Sequence, residues 1–163
     1  MLSFKQKQSG FTIVELLIVI VIIGILAGLV ITTFVGIQAR ARDSERQTDI
    51  NAVQKQLEAY YANVGAYPTK LNLESSTFRS GNGIKLDTKA LADPSNSSVI
   101  TFIATTPVAT SKQYSYIPTP ALCTASTDDT GGSVTPTGSG ACTGYTVSAW
   151  LESKNAVYSQ TNQ

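Results

Sequence analysis

From Phe11 to Ile37 the chain runs 27 residues with one ionisable side chain, Glu15. As a helix this run would measure about 40 Å, more than the roughly 30 Å of hydrocarbon in a bilayer. A chain of 163 residues cannot wrap such a segment on every side with its own domain. The apolar surface therefore has to meet lipid or other subunits. The charge is the anomaly: a carboxylate at the centre of a membrane helix costs about 2.5–3.5 kcal/mol, and such residues usually have a partner and a purpose.

The order of the flanking segments narrows the reading. A secretory signal runs basic, then apolar, then small residues at the cut, and its apolar part is discarded. Here Lys5 and Lys7 lead into Ser9-Gly10, and the small pair stands before the apolar run. A cut after Gly10 would retain the whole hydrophobic helix and free an amine on Phe11, near Glu15 on the helix surface. The rival small-x-small site, Ala39-Arg40-Ala41, follows an apolar run far longer than the roughly 7–15 residues of a signal core.

Gly10-Phe11-Thr12-Ile13-Val14-Glu15-Leu16-Leu17 resembles the N-terminal signature of type IV pilins and of type II secretion pseudopilins. The likeness is strong over residues 8–37. It continues loosely to Gly65-Ala66-Tyr67-Pro68, which resembles the helix exit of pseudopilins. The resemblance implies a leader, residues 1–10, removed by a prepilin peptidase after Gly10, with methylation of the new Phe11 amine. It also implies that the Glu15 carboxylate meets the N-terminal amine of a neighbouring subunit during assembly. Many relatives carry a helix-disturbing proline where this chain has Thr32, so flexibility would rest on Gly24, Gly28 and Gly36.

The chemistry of the residues fits that implication. A neighbour's ammonium within about 4 Å would offset the desolvation of Glu15, and only at the correct axial stagger. The pair would thus set register more than supply raw stability. The plainer alternative is a Glu15 that snorkels to the interface and has no task. Gly10-Phe11 just before it favours the first reading. Gly24-Ile-Leu-Ala-Gly28 matches the small-xxx-small spacing of close helix contacts, a weak signal because glycine is common in membrane helices.

Charge does not fix orientation, since Lys5 and Lys7 precede the apolar run while Arg40, Arg42 and Arg46 follow it. Two widely spaced cysteines suit an oxidising space outside the cytoplasm. The resemblance places the leader in the cytoplasm and exports the rest: first a single-pass inner-membrane protein, then an extracellular filament.

Residues 38–64 continue the helix. Ile50, Val53, Leu57, Tyr60/Tyr61 and Val64 recur at steps of three and four and form one apolar stripe. Arg40 to Asp49 mixes both signs without such a stripe, and is expected to be solvated or to pair with neighbouring subunits. Gly65 suits the stop and Pro68 prevents continuation. Residues 65–163 read as a β-rich head. Gln113–Ile117, Gly144–Glu152 and Ala156–Gln160 read as strands, Val99–Ile103 as a further candidate, and Thr88–Leu91 as a candidate short helix. Tyr145, Val147, Ala149 and Leu151 would face inward, with Thr146, Ser148, Trp150 and Glu152 outward. The expected fold is α+β: one long helix, its second half laid on a small antiparallel sheet.

Cys123 and Cys142 are the only cysteines and bracket 18 residues rich in Thr, Ser, Gly and Asp. A disulfide is expected there, since closing that loop removes about 3 kcal/mol of unfolded-state freedom. Two cysteines without a histidine make a poor zinc site. A calcium site at Asp128-Asp129 lacks a ligand spacing to support it, and no metal or cofactor is expected.

No histidine is present, which removes the Ser-His-Asp and Cys-His arrangements, and Gly81-Asn-Gly83 and Gly131-Gly132 read as turns. The head's acids are scattered, so nothing asks for an enzyme. Two of the twelve Lys/Arg lie in the leader, leaving ten against eleven acids, and six of each lie beyond residue 64. That balance gives no nucleic-acid footprint. Asn96-Ser97-Ser98 is a formal glycosylation sequon of little weight alone.

The reading is a type IV pilus subunit that polymerises with itself through its N-terminal helix and supports adhesion or twitching motility. Its partners would be prepilin peptidase, the assembly platform, minor pilins and, before assembly, membrane lipid. A type II secretion pseudopilin is the first alternative. A monomeric membrane-tethered binding domain is the second.

Overall fold

A computed structural model of the chain describes residues 10–81, 88–98, 100–120, 123 and 140–162. Its helices are α1 (Ile13–Val64), α2 (Lys70–Glu74) and α3 (Ser76–Gly81), followed by a 3-10 turn at Thr88–Leu91. Its strands are β1 (Ser115–Thr119), β2 (Gly144–Leu151) and β3 (Ala156–Thr161). Two compact units part between Gln38 and Ala39.

In the first unit every described side chain from Phe11 to Ile37 is exposed. Among the described residues nothing covers them, on any side of the helix. Among the described residues, α1 is the one helix long and apolar enough to cross a membrane.

The second unit buries the stripe read from the sequence. Ile50, Val53 and Leu57 are fully buried and Tyr60 nearly so, while Val64 is partly buried and Tyr61 stays exposed. Each step of three or four residues returns to the same helix face, so these positions meet the sheet together. Gly65 ends α1 with φ of 77°, donating its N–H to the carbonyl of Tyr61 at 2.7 Å. That left-handed backbone is where glycine costs least.

The sheet is antiparallel in the order β1-β2-β3. Tyr116 lies opposite Val147 and Pro118 opposite Tyr145, so these four share the face that meets α1. Tyr145, Val147, Ala149 and Leu151 are all buried, as the alternation required. The opposite face departs from the simple polar-out pattern. Ser148 and its β1 partner Ser115 are both buried, at 3% and 0% exposure.

Several strand details differ from the sequence reading, among them the ends of β1, at Thr119 instead of Ile117, and of β2, at Leu151 instead of Glu152. β1 begins two residues later than expected, because Tyr114 and Tyr116 also bond to Ile103 across a parallel bridge. Ile103 forms only that isolated bridge, so residues 100–103 make no strand, and Val99 lies outside the described residues. β3 runs one residue beyond the expected end. Two helices went unread. α2 is capped by Thr69, whose hydroxyl accepts the N–H of Asn72, and α3 follows directly. The 3-10 turn lies where a short helix was expected.

Candidate functional site

The region with functional potential is the start of α1. Gly10 and Phe11 precede the helix, both exposed, and Phe11 is 87% exposed. Helix begins at Ile13, one residue after Thr12. The Thr12 hydroxyl accepts the N–H of Glu15 at 3.2 Å. In return a Glu15 carboxylate oxygen accepts the Thr12 N–H and the Thr12 hydroxyl, each at 2.8 Å. This is a capping box, in which two orphan N–H donors of the helix start are each accepted by the other residue's side-chain oxygen. The signal lay in plain view as Thr12-Ile-Val-Glu15 before an apolar run, and the sequence reading passed over it.

The box has two consequences. It sets where the helix starts, so the Gly10–Phe11 bond stands in open backbone ahead of the first turn. It also gives Glu15 a partner within its own chain. The carboxylate is held by Thr12, two bonds from its N–H and hydroxyl, and not by Phe11.

Gly24, Gly28 and Gly36 lie within uninterrupted helix. Beyond the helix's own backbone, a Cβ built at any of the three would meet no atom of the described residues within 4 Å.

The charges after the apolar run correct the sequence reading. Arg42, Asp43 and Arg46 were expected in solvent or against other subunits, and all three are engaged within the head. Arg46 is 2% exposed and donates to both carboxylate oxygens of Asp93, at 2.7 and 3.0 Å. It also reaches Asp43 at 3.1 Å, Ser95 at 2.9 Å and Glu152 at 2.7 Å. Asp43 in turn accepts the backbone N–H groups of Glu152 and Ser153 at 2.8 and 2.7 Å, closing the turn between β2 and β3. Arg42 pairs with Glu152 through two nitrogens, at 3.1 and 2.5 Å. That bond from Arg42, with help from Arg46, pulls the Glu152 carboxyl from 4.5 down to about 2. Burial pushes the Asp43 carboxyl up, but the bonds from Ser153, Glu152 and Arg46 outweigh it and leave it below its ordinary value.

A second polar pair sits further along α1. Glu58 accepts the hydroxyls of Tyr67 at 2.9 Å and Tyr145 at 2.8 Å. Burial, with Glu58 beside them, raises both phenols well above their ordinary range. Cys123 and Cys142 are joined in a disulfide with Cα atoms 5.0 Å apart. The Tyr67 N–H donates to the Cys142 carbonyl at 2.9 Å, tying the helix exit to the start of β2. Among the described residues no cluster of three acidic, cysteine or histidine side chains could hold a metal. Asp128 and Asp129, the leader before Gly10, and the turns at 82–83 and 131–132 lie outside the described residues.

Residues 5–31 match the family described as the prokaryotic N-terminal methylation motif. The chain carries a prepilin-type N terminus. It is 42% identical over 65 residues to the type II secretion system core protein G of Aeromonas hydrophila, covering 40% of this chain and 46% of that protein. The corresponding protein of Vibrio cholerae is 34% identical over 91 residues, covering 49% and 62%. The type IV major pilin protein PilA of Myxococcus xanthus is 38% identical over 64 residues, covering 39% and 29%. Each match thus covers less than two thirds of the relative's own length. No solved structure matches the chain. The prepilin-type segment coincides with the capped, exposed start of α1, so likeness and geometry point to the same residues.

Proposed function

We propose that the chain is the precursor of a type IV pilus subunit. Residues 1–10 are removed between Gly10 and Phe11, the Phe11 amine is methylated, and residues 11–37 hold the subunit in the cytoplasmic membrane until assembly. The same helix then forms the core of an extracellular filament, and the head forms its surface. The work is architectural, and adhesion or twitching motility belongs to the polymer. The observation that carries this reading is a capped helix start directly after Gly10–Phe11, followed by an apolar circumference that the described residues leave uncovered. Burying that circumference against copies of itself removes it from both lipid and water. Glu15 is the one charge in the core and pairs with a neighbour's Phe11 amine only at the correct stagger. Prepilin peptidase, an assembly platform and minor pilins are the further partners this route requires.

A pseudopilin of a type II secretion system is the second reading, favoured by relatives that bear the name core protein G. The disulfide-closed loop of the head favours the pilus. Shearing filaments from the source cells and sequencing the N-terminal peptide by mass spectrometry decides the matter. A methylated Phe11 terminus in long sheared filaments supports the pilus. The same terminus found only in the membrane fraction supports the pseudopilin, and a terminus at Met1 or near Asp43 overturns both.

A further inference from the structure

The near-neutral composition conceals an imbalance of the surface. Every described carboxylate after residue 38 is engaged in the fold, from the enclosed Asp43 to Glu45, which faces Lys89 at 3.3 Å. Four exposed cations, Arg40, Lys55, Lys112 and Lys154, have no ion-pair or hydrogen-bond partner among the described residues. Among the described residues after residue 38, the exposed charge left without a partner is therefore all positive.

Two of these cations flank the contact between α1 and the turn after β2, one on each element. Arg40 stands three residues after Ile37, the last residue of the apolar run. Lys154 lies in the turn between β2 and β3. That turn is fastened to Asp43 by the N–H and hydroxyl of Ser153, at 2.7 and 2.5 Å. Arg42, with a third of its side chain exposed beside Glu152, lies in the same place.

We propose that Arg40 and Lys154, supported by the exposed edge of Arg42, bind the phosphates of anionic phospholipid headgroups while the subunit is in the membrane. The inference rests on the reading that residues 11–37 form a membrane anchor. Continuity with that anchor selects lipid over nucleic acid. Two or three cations fall short of the roughly 6–10 phosphate contacts that give strong duplex binding. Beside an anionic leaflet each Lys or Arg is attracted without any such multiplicity. Assembly must break this contact, so the anionic content of the membrane governs how readily subunits leave it for the filament.

Trp150, the only tryptophan of the chain, lies at the end of β2 next to this turn and reports on it. The full chain is reconstituted in nanodiscs of phosphatidylcholine, with or without phosphatidylglycerol, and Trp150 emission is quenched by a headgroup spin label. Quenching is expected to increase with phosphatidylglycerol and to fall back in high salt. It is also expected to fall in Arg40→Gln/Lys154→Gln, with the docked-to-undocked ratio dropping roughly fivefold per charge. Both replaced residues are exposed and without partners, so the fold is unaffected. Equal quenching in both lipids, or an unchanged double variant, overturns the inference. So does equal protection of Trp150 by a soluble double-stranded oligonucleotide, which would make this a nucleic-acid site. A chain that does not enter nanodiscs at all refutes the anchor reading instead.

Discussion

Arg46 lies on a stretch of α1 whose sequence mixes both signs of charge, yet its side chain is 2% exposed. A guanidinium presents five donors in a rigid fork, and here they are met by Asp93, Asp43, Glu152 and Ser95. The sequence could not reveal this, because two of the acids stand 47 and 106 residues further along the chain. Only the fold brings them together, so the local pattern of charges points to solvent or to neighbouring subunits. Arg46→Ala should leave Asp43 and Asp93 buried without their cation. Loss of one partner of such a network costs about 3–5 kcal/mol, read as a lowered midpoint in chemical denaturation of the head. The rim of the network makes a second prediction. Glu152 has its folded pKa depressed to about 2, so its stabilisation is complete above the ordinary 4.5 and is lost as pH falls toward 2. Arg42→Gln removes the largest cause of that depression. The denaturation midpoint should then already be lower near neutrality, where the Glu152 stabilisation is complete, and acid titration followed by circular dichroism should show unfolding beginning at higher pH than in the parent chain.

At the scale of elements, what could be read depended on whether a signal was periodic. Ile50, Val53 and Leu57 repeat at helical spacing and are buried because one face of α1 meets the sheet. Tyr145, Val147, Ala149 and Leu151 alternate and are buried for the corresponding reason in a strand. α2 and α3 are 5 and 6 residues long, too short for a period to appear, and the cap at Thr69 belongs to α2. The start of β1 shifted because Tyr114 is held by Ile103 and by Asp49, to whose carboxylate its hydroxyl donates at 2.7 Å. The same contrast divides α1 itself. Leu57→Ala opens a cavity in the core and should cost about 2–5 kcal/mol of head stability. Ile22→Ala removes a side chain that is 51% exposed and meets no core, so the unfolding midpoint of the head should not move. Filament yield should answer in the opposite way, because Ile22 would pack against neighbouring subunits in the proposed filament. A shift of the unfolding midpoint in Ile22→Ala would show that the apolar half of α1 is part of the head's own core.

For the whole molecule, the capping box makes Glu15 a residue with two candidate tasks, and they can be separated chemically. Within the single chain the carboxylate closes the helix start with Thr12. In the filament it is proposed to pair with the Phe11 amine of a neighbour. Glutamine serves at the third helical position of a capping box as glutamate does, because its side-chain oxygen still accepts the N–H of the cap residue. It carries no charge, however, and cannot offset the burial of an ammonium. Glu15→Gln should therefore preserve helix content and cleavage after Gly10 while abolishing sheared filaments. Thr12→Ala should do the reverse. It loosens the helix start by about 1 kcal/mol and leaves the carboxylate in place, so filaments persist at reduced yield. Immunoblots of sheared and membrane fractions, with mass spectrometry of the N-terminal peptide, read both outcomes. If Glu15→Gln assembled as well as the parent chain, Glu15 would serve the helix start alone. The register of the filament would then rest on the shapes of the apolar side chains.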